Sequence, residues 1–278
     1  MELQELASRH NPRIKRVLKI RERPEKYAPS HRAAAGEVVV EGPSNVLQAL
    51  QSRHRVKYVL LTQELVEDER HVQLLTELLE KEVPLYVVDR MLMVKISGTE
   101  TPQGMIGVVR VGTEKLSEQD VSDDALYVVS DRIQDPGNMG TLIRTADAAG
   151  VKTFISLKGS VNPFNPKSIR ASAGSVFTVD IVFSDEDEFI PWAHERGVNI
   201  VITTGTAERT VYEYKPRGIT ALVFGNEGAG VSGVMLKAST DSVRVPIYGS
   251  AESLNVASAA AVIIYEMARR RKGTKEGD

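Results

Sequence analysis

The stretch from Thr220 to Glu266 constrains this chain most. An apolar run, Ala221-Leu222-Val223-Phe224, reads as a buried strand and runs into a glycine-punctuated loop, Gly225-Asn226-Glu227-Gly228-Ala229-Gly230. A short helix and a second strand ending at Pro246 follow. A second loop, Ile247 to Glu252, then leads into a helix opening with Ser253-Leu254-Asn255. If the two strands are neighbours in one parallel sheet, their loops border the crevice beyond the strands' carboxyl ends, where open α/β sheets bind ligands. Glycines let main-chain N–H and C=O groups approach a ligand closely, so a polar, planar molecule can be held by backbone alone.

The rest of the chain suits such a fold. Its 278 residues are 42% apolar and 26% charged, ordinary for a globular protein and enough for one large or two medium domains. The absence of cysteine excludes disulfides, thiolate metal sites and cysteine nucleophiles. No apolar run approaches the roughly 20 residues that span a bilayer. The first residues, Met1-Glu2-Leu3-Gln4-Glu5, lack a basic-then-apolar leader, so a cytoplasmic location is expected. The net charge of −2 hides an uneven distribution: nine Lys/Arg lie between Arg9 and Arg32 against two acids, Glu22 and Glu25, and the final helix ends in Arg269-Arg270-Arg271-Lys272. On charge alone the first cluster reads equally as a phosphate-contacting patch or a solvated helix face.

Taken in order, Asn11-Pro12 signals a helix start, with Ile14, Val17 and Leu18 on one face. Then come a Val-rich strand (37–41), a helix (44–52), a strand (57–61), a helix (67–81), a strand (85–88), a short helix (90–96) and a strand (105–111): a small α/β unit. Residues 112–124 are polar without an apolar period and read as an interdomain linker. A second α/β run follows. Its first strand (126–129) leads into Asp131-Arg132-Ile133-Gln134-Asp135-Pro136-Gly137, and Asn138 is placed to cap a helix through Gly150 in which Arg144 faces away from Leu142 and Ala146. Strands are predicted at 153–157, 176–183 and 199–203, with a helix over 185–196.

Familiar site chemistries fail on inspection. The loop 225–230 is not a Walker sequence, since no Gly-Lys-Ser/Thr follows, and it lacks the dinucleotide fingerprint. The five histidines are scattered without ligand spacing, so no metal site is expected; His194 reads as a helix-surface residue. Ser253 has no histidine positioned as its base, and reads better as a helix cap than as a nucleophile.

Three segments, 131–150 (D-R-I-Q-D-P-G-N-M-G-T-L-I-R-T-A-D-A-A-G), 222–230 (L-V-F-G-N-E-G-A-G) and 245–257 (V-P-I-Y-G-S-A-E-S-L-N-V-A), resemble the three ordered motifs of the SpoU/TrmH-type RNA 2′-O-methyltransferases of the SPOUT superfamily. The segment 165–175 is similar to the family's intermotif stretch. The N-terminal half resembles, at the level of pattern, the small ribosomal-protein-L30e-like substrate-binding domain.

The resemblance implies an α/β fold: a parallel-sheet α/β/α domain with a deep trefoil knot over 125–278, and a smaller α/β domain over 1–111 comprising a basic helix region (9–32) and an L30e-like part (36–111). It implies a homodimer binding S-adenosylmethionine, with Gly225, Val245 and Leu254 at the family's cofactor positions and Thr204, Gly205 and Ile247 beside them. Asn138, Arg144, Glu227, Ser253 and Asn255 match its functional polar residues. Ribosomal RNA of the large subunit is the favoured substrate, with transfer RNA as the alternative. Contacts are expected from Arg13, Lys15, Arg16 and Lys19, and from Arg170, for which a structural ion pair is the equal alternative. A 2′-hydroxyl target makes RNA, not DNA, the substrate. A non-catalytic RNA-binding assembly factor and a resistance methyltransferase acting on one ribosomal nucleotide are the other readings.

Overall fold

The computed structural model describes residues 3–119, 121–122 and 124–273. Met1 and Glu2, read above for a leader, and Asp120 and Asp123 of the expected linker lie outside the described residues. In chain order the elements are β1 (Gln4–Glu5), α1 (Pro12–Glu22), α2 (Pro24–Tyr27), β2 (Ala35–Glu41), α3 (Pro43–Gln51), β3 (Arg55–Leu61), α4 (Gln63–Val66), α5 (Val72–Glu80), β4 (Leu85–Val87), α6 (Arg90–Ile96) and β5 (Met105–Gly112). Then follow β6 (Leu126–Ser130), α7 (Pro136–Ala148), β7 (Thr153–Leu157), α8 (Pro166–Ala171), β8 (Asp180–Ser184), α9 (Glu186–Glu195), β9 (Asn199–Thr203), β10 (Thr220–Phe224), α10 (Gly233–Ala238), β11 (Asp241–Val243) and α11 (Val256–Gly273). They form two compact units, Met1–Gly112 with Phe164–Thr178, and Thr113–Pro163 with Val179–Asp278.

The first unit is built on a mixed sheet in the order β1-β4-β3-β5-β2, with β5 antiparallel to both β2 and β3. Asn11 caps α1, its side chain accepting from the Arg13 N–H at 2.9 Å, and Pro12 fills the first turn, where a missing N–H costs nothing. Ile14, Val17 and Ile20 recur at helical spacing and are buried. They pack with Val39, Tyr58, Val108 and Tyr86 of the sheet and with Leu92, Met93 and Ile96 of α6. Each large side chain so buried contributes about 1.5–3 kcal/mol. In place of the single helix expected over 67–81, the chain makes a 3₁₀ turn (Glu69–His71) and then α5, with α4 ending before that range at Val66. The break is local chemistry: the Asp68 carboxylate accepts from the Arg70 N–H at 3.0 Å and restarts the helix.

Phe164–Thr178 is counted with this first unit although its sequence falls between elements of the second. After α8 the chain turns through Ala173 and Gly174, at φ +50 and +95, into a 3₁₀ turn, Ser175–Phe177. Gly174 is needed twice over, since a Cβ there would also lie 2.5 Å from the Gln48 Cγ. The strand expected over 176–183 therefore starts only at Asp180. Val176 and Phe177 are buried, and a short apolar run does not by itself say whether its burial is in a strand or a turn.

The second unit is a wholly parallel six-stranded sheet, β11-β9-β10-β6-β7-β8. β7 and β10 are buried along their whole length and β6 at all but its first residue, as parallel strands covered by helices on both faces must be. α11 packs against α7, and α9 against α10. The stretch 112–124, expected to be a linker, carries ordered structure: Glu114 bridges to Val182, and Leu116 is 1% exposed in the core with Phe189 and Trp192. Thr153 donates to the buried Gln119 side chain at 2.8 Å. One leucine in a polar run leaves no periodicity to read.

Candidate active site

Chain order and strand order part company at β6. The chain steps outward through β7 and β8, crosses to β9, and returns to place β10 between β9 and β6. The loop after β6 therefore lies beside the loop after β10, at the kind of switch point where open sheets bind ligands.

The two loops are stitched together from beneath. Asp131, fully buried, donates its N–H to the Phe224 carbonyl at 2.8 Å, and its carboxylate accepts from the Ser232 N–H at 2.5 Å and the Arg132 Nε at 3.2 Å. Arg132, held at φ +58, donates to the Gly230 carbonyl at 3.1 Å while its own carbonyl accepts from the Asn226 side chain at 3.0 Å. Asn226 folds the glycine loop, its side chain accepting from the N–H groups of Gly228 and Ala229 at 3.0 and 2.8 Å. Gly225 closes the loop, where a Cβ would stand 2.3 Å from the Val231 nitrogen; no other residue fits there. None of Asp131, Arg132 and Asn226 was singled out from sequence. The Asp-Arg pair after a buried strand was visible, but a left-handed backbone angle was not.

Above this base runs a hydrogen-bond chain through all three motifs. Glu227 accepts from the Asn138 side-chain amide at 2.9 Å and from the N–H groups of Gln134 and Asp135 at 3.2 Å each. The Asn138 side-chain oxygen accepts from the Asn255 amide at 3.0 Å. The Asn255 oxygen in turn accepts from the Ala257 and Ser258 N–H groups at 2.9 and 3.3 Å. Partial burial works to raise the Glu227 carboxyl, but these donors outweigh it and hold its pKa below the ordinary carboxylate value. Two caps differ from expectation. Asp135, not Asn138, caps α7, accepting from the Asn138 N–H at 2.8 Å, because Pro136 already occupies the first turn. Asn255, not Ser253, caps α11.

Ser253 is exposed and its side chain has no partner among the described residues. Arg144 sits on the exposed side of α7, likewise without a side-chain partner among the described residues. The cofactor positions fall on loops leaving three adjacent strands. Thr204 and Gly205 follow β9, Gly225 follows β10, and Val245, Ile247 and Leu254 follow β11. Ile247 and Leu254 are 38% and 41% exposed, and a Cβ at Gly205 would meet nothing within 4 Å. Open main chain beside exposed apolar side chains suits a small ligand with both polar groups and an apolar body. A separate cleft of about 440 Å³ involves Leu126, Lys152, Asp180 and Arg271. It opens at the strands' amino ends, opposite the motif loops.

In the first unit, α1 carries the basic residues named from sequence. Lys15 and Lys19 are exposed. Arg13 stacks on the Tyr86 ring at 4.3 Å and Arg16 on Tyr27 at 4.4 Å, and Arg16 also pairs with Glu37 at 2.7 Å. Arg170 is exposed on α8.

Comparison with known proteins agrees with this geometry. Residues 125–265 match the SpoU rRNA Methylase family, and residues 11–107 match the MRM3-like substrate binding domain. The chain is 32% identical over 95% of its length, and 99% of the relative's, to the 23S rRNA (guanosine(2553)-2′-O)-methyltransferase RlmP of Bacillus subtilis. It is 36% identical over 62% of each chain to the 23S rRNA (uridine(2479)-2′-O)-methyltransferase of Streptomyces viridochromogenes. The crystal structure of AdoMet-bound rRNA methyltransferase from Sinorhizobium meliloti superposes with a TM-score of 0.82 at 27% identity, covering 96% of this chain and 98% of that one. With the three motifs joined at one end of a parallel sheet and matches over both units, the chain belongs to the SpoU rRNA methylase family.

Proposed function

We propose that this protein transfers a methyl group from S-adenosylmethionine to a ribose 2′-hydroxyl of large-subunit (23S) ribosomal RNA. The observation that carries the reading is the chain Glu227–Asn138–Asn255, which ties the three motif loops into one surface. The two 23S-directed relatives are named for a guanosine and a uridine. What their names have in common is the ribose 2′-oxygen, so the reading commits to the sugar and not to a base. Arrangement by domains follows: a substrate-binding part over 1–111, and methyl transfer by 125–278.

When bound, S-adenosylmethionine supplies a methyl on a sulfonium sulfur, already electrophilic. The protein's task is then alignment, which can contribute about 7–11 kcal/mol, and removal of the hydroxyl proton. Glu227 is a poor base, because its oxygens already accept three hydrogen bonds and its pKa is lowered. It organises Asn138. Arginine is also a poor base, because its guanidinium keeps its proton. Arg144, free and exposed, orients the ribose or its phosphate and offsets developing negative charge, while the proton leaves to phosphate or water. Ser253, unpartnered beside Asn255, is placed to hydrogen-bond substrate or cofactor.

The protein is read as a cytoplasmic homodimer with the family's trefoil knot. Tyr212, Tyr248, Leu254 and Tyr265 of the second unit are exposed and are the large side chains available to a dimer seam. Sedimentation at micromolar concentration should give twice the chain mass.

The decisive assay is transfer of labelled methyl to 23S rRNA and, separately, to transfer RNA, with alkali-resistant linkages reporting 2′-O-methylation. Label in 23S rRNA is expected. Label confined to transfer RNA would overturn the substrate. RNA binding without label in naked or ribosome-assembled RNA would favour a non-catalytic assembly factor. Arg144→Ala should leave cofactor affinity near wild type and lower turnover at least about 10²-fold; unchanged turnover would remove Arg144 from the site.

A further inference from the structure

The sheet of the first unit adds positive charge to α1 in a way that chain order hides. Arg110 of β5 stands directly opposite Arg55 of β3 and Glu37 of β2. Residues directly opposed across strands share one face of a sheet, so the three make a single row. Two residues along, Val39 and Val108 lie in the core beneath α1, and the charged row continues that face beyond it. Lys57 enters at the register shift between Val56 and Tyr58. Glu37 is the row's carboxylate, and it is already engaged by Lys57 at 2.7 Å and Arg16 at 2.7 Å. Burial works to raise the Glu37 carboxyl, yet these two partners outweigh it and lower its pKa. Arg55 and Arg110 are exposed, and neither side chain has a partner among the described residues.

Like charges directly opposite each other oppose strand pairing. Here four cations, Arg16, Lys57, Arg55 and Arg110, surround one carboxylate, an excess of three positive charges on a chain whose net charge is −2. Such an arrangement is stabilised by an anion arriving from outside. Guanidinium forks match phosphate oxygens two at a time, and among these side chains there is no exposed aromatic ring for a base to stack on. We propose that the Arg55–Arg110 row, flanked by Lys57 and Arg16, is a phosphate track that holds the backbone of the RNA substrate without reading its sequence. It rests on the reading that the chain acts on RNA.

The test is the full-length double variant Arg55→Thr/Arg110→Thr, with binding to a 23S rRNA transcript measured by filter retention between 50 and 200 mM salt. Affinity should fall about tenfold or more at the low-salt end. The slope of log affinity against log salt should become shallower by about two, one per lost phosphate contact. At saturating RNA kcat should be kept while KM rises, and the thermal midpoint should hold or rise, since an opposed like-charge pair has gone. Arg55→Lys/Arg110→Lys should keep the wild-type salt slope. Unchanged affinity and slope in the threonine variant, with wild type binding and methylating RNA, would overturn the phosphate track alone. Loss of affinity together with a lowered thermal midpoint would make the row structural and overturn it too. Absence of RNA binding by wild type would overturn both it and the functional reading.

Discussion

Asn138 is where the residue scale bears on the proposed function. Its amide donates to Glu227 and its oxygen accepts from Asn255, so it uses both ends of one side chain to join motifs far apart in sequence. Asn138→Ala removes both bonds. Because the network is solvent-accessible, stability should fall by only about 1 kcal/mol, while methyl transfer should fall by about 10² or more as the loops lose register. A variant that keeps turnover would show the network to be decorative. His54 gives a different residue-scale test. Burial first, and the nearby Arg53 charge second, lower its pKa from 6.5 to about 4, and its ring meets Phe177 edge-on at 5.9 Å. A lowered folded pKa means that the unfolded chain binds more protons between about pH 4 and 6.5. Stability is therefore full above that window and is lost as pH falls through it. Discounting for the solvent that reaches the ring, the loss is on the order of 1–2 kcal/mol. His54→Gln should flatten the thermal midpoint over this window, and an equally steep profile would assign the acid sensitivity elsewhere.

At the scale of elements, α11 is both a packing helix and part of the site, and Asn255 separates the two roles. Its oxygen caps the helix while its amide reaches Asn138. Asn255→Ala should cost about 1 kcal/mol of stability, the usual price of a lost cap. Asn255→Ser keeps a capping oxygen but is too short to join Asn138, so stability should be nearly retained and turnover lost. Equal stability losses in both variants would show that the cap is not made as described. Much of this was legible in sequence. The strands over 153–157 and 199–203 and the helix over 90–96 fall at the expected residues, because uninterrupted apolar runs and turn punctuation are local signals. The grouping of Asn138, Glu227 and Asn255 was foreseeable only through the ordered motifs. Illegible were the features set by tertiary context: the turn at Gly174 that replaced the start of a strand, Leu116 anchoring a polar stretch, and the left-handed Arg132 under the glycine loop. Arg55 and Arg110 lie 55 residues apart in sequence and become neighbours only through strand register.

At the scale of the whole molecule, the cofactor and the RNA phosphates are assigned to different units. All the expected cofactor positions, Thr204 to Leu254, lie in the second unit, on loops leaving β9, β10 and β11, whereas the proposed phosphate row lies on β3 and β5 of the first. A ligand stabilises only the structure that must be intact to bind it. At one hundred times its dissociation constant, S-adenosylmethionine should stabilise the second unit by about 2.7 kcal/mol. Hydrogen exchange on the full chain should show this as roughly hundredfold slower exchange in the core amides of β9, β10 and β6, which open only with that unit. The hydrogen-bond chain through Glu227, Asn138 and Asn255 should extend the protection to the first turn of α11, which follows Leu254, and to that of α7, which carries no predicted cofactor position. Amides of β2, β3 and β5 should exchange at the same rate with and without cofactor. Protection confined to the glycine loop would mean that the three motifs do not act as one surface. Equal protection of β2 and β5 would mean that cofactor binding also requires the first unit, and would move part of its site there.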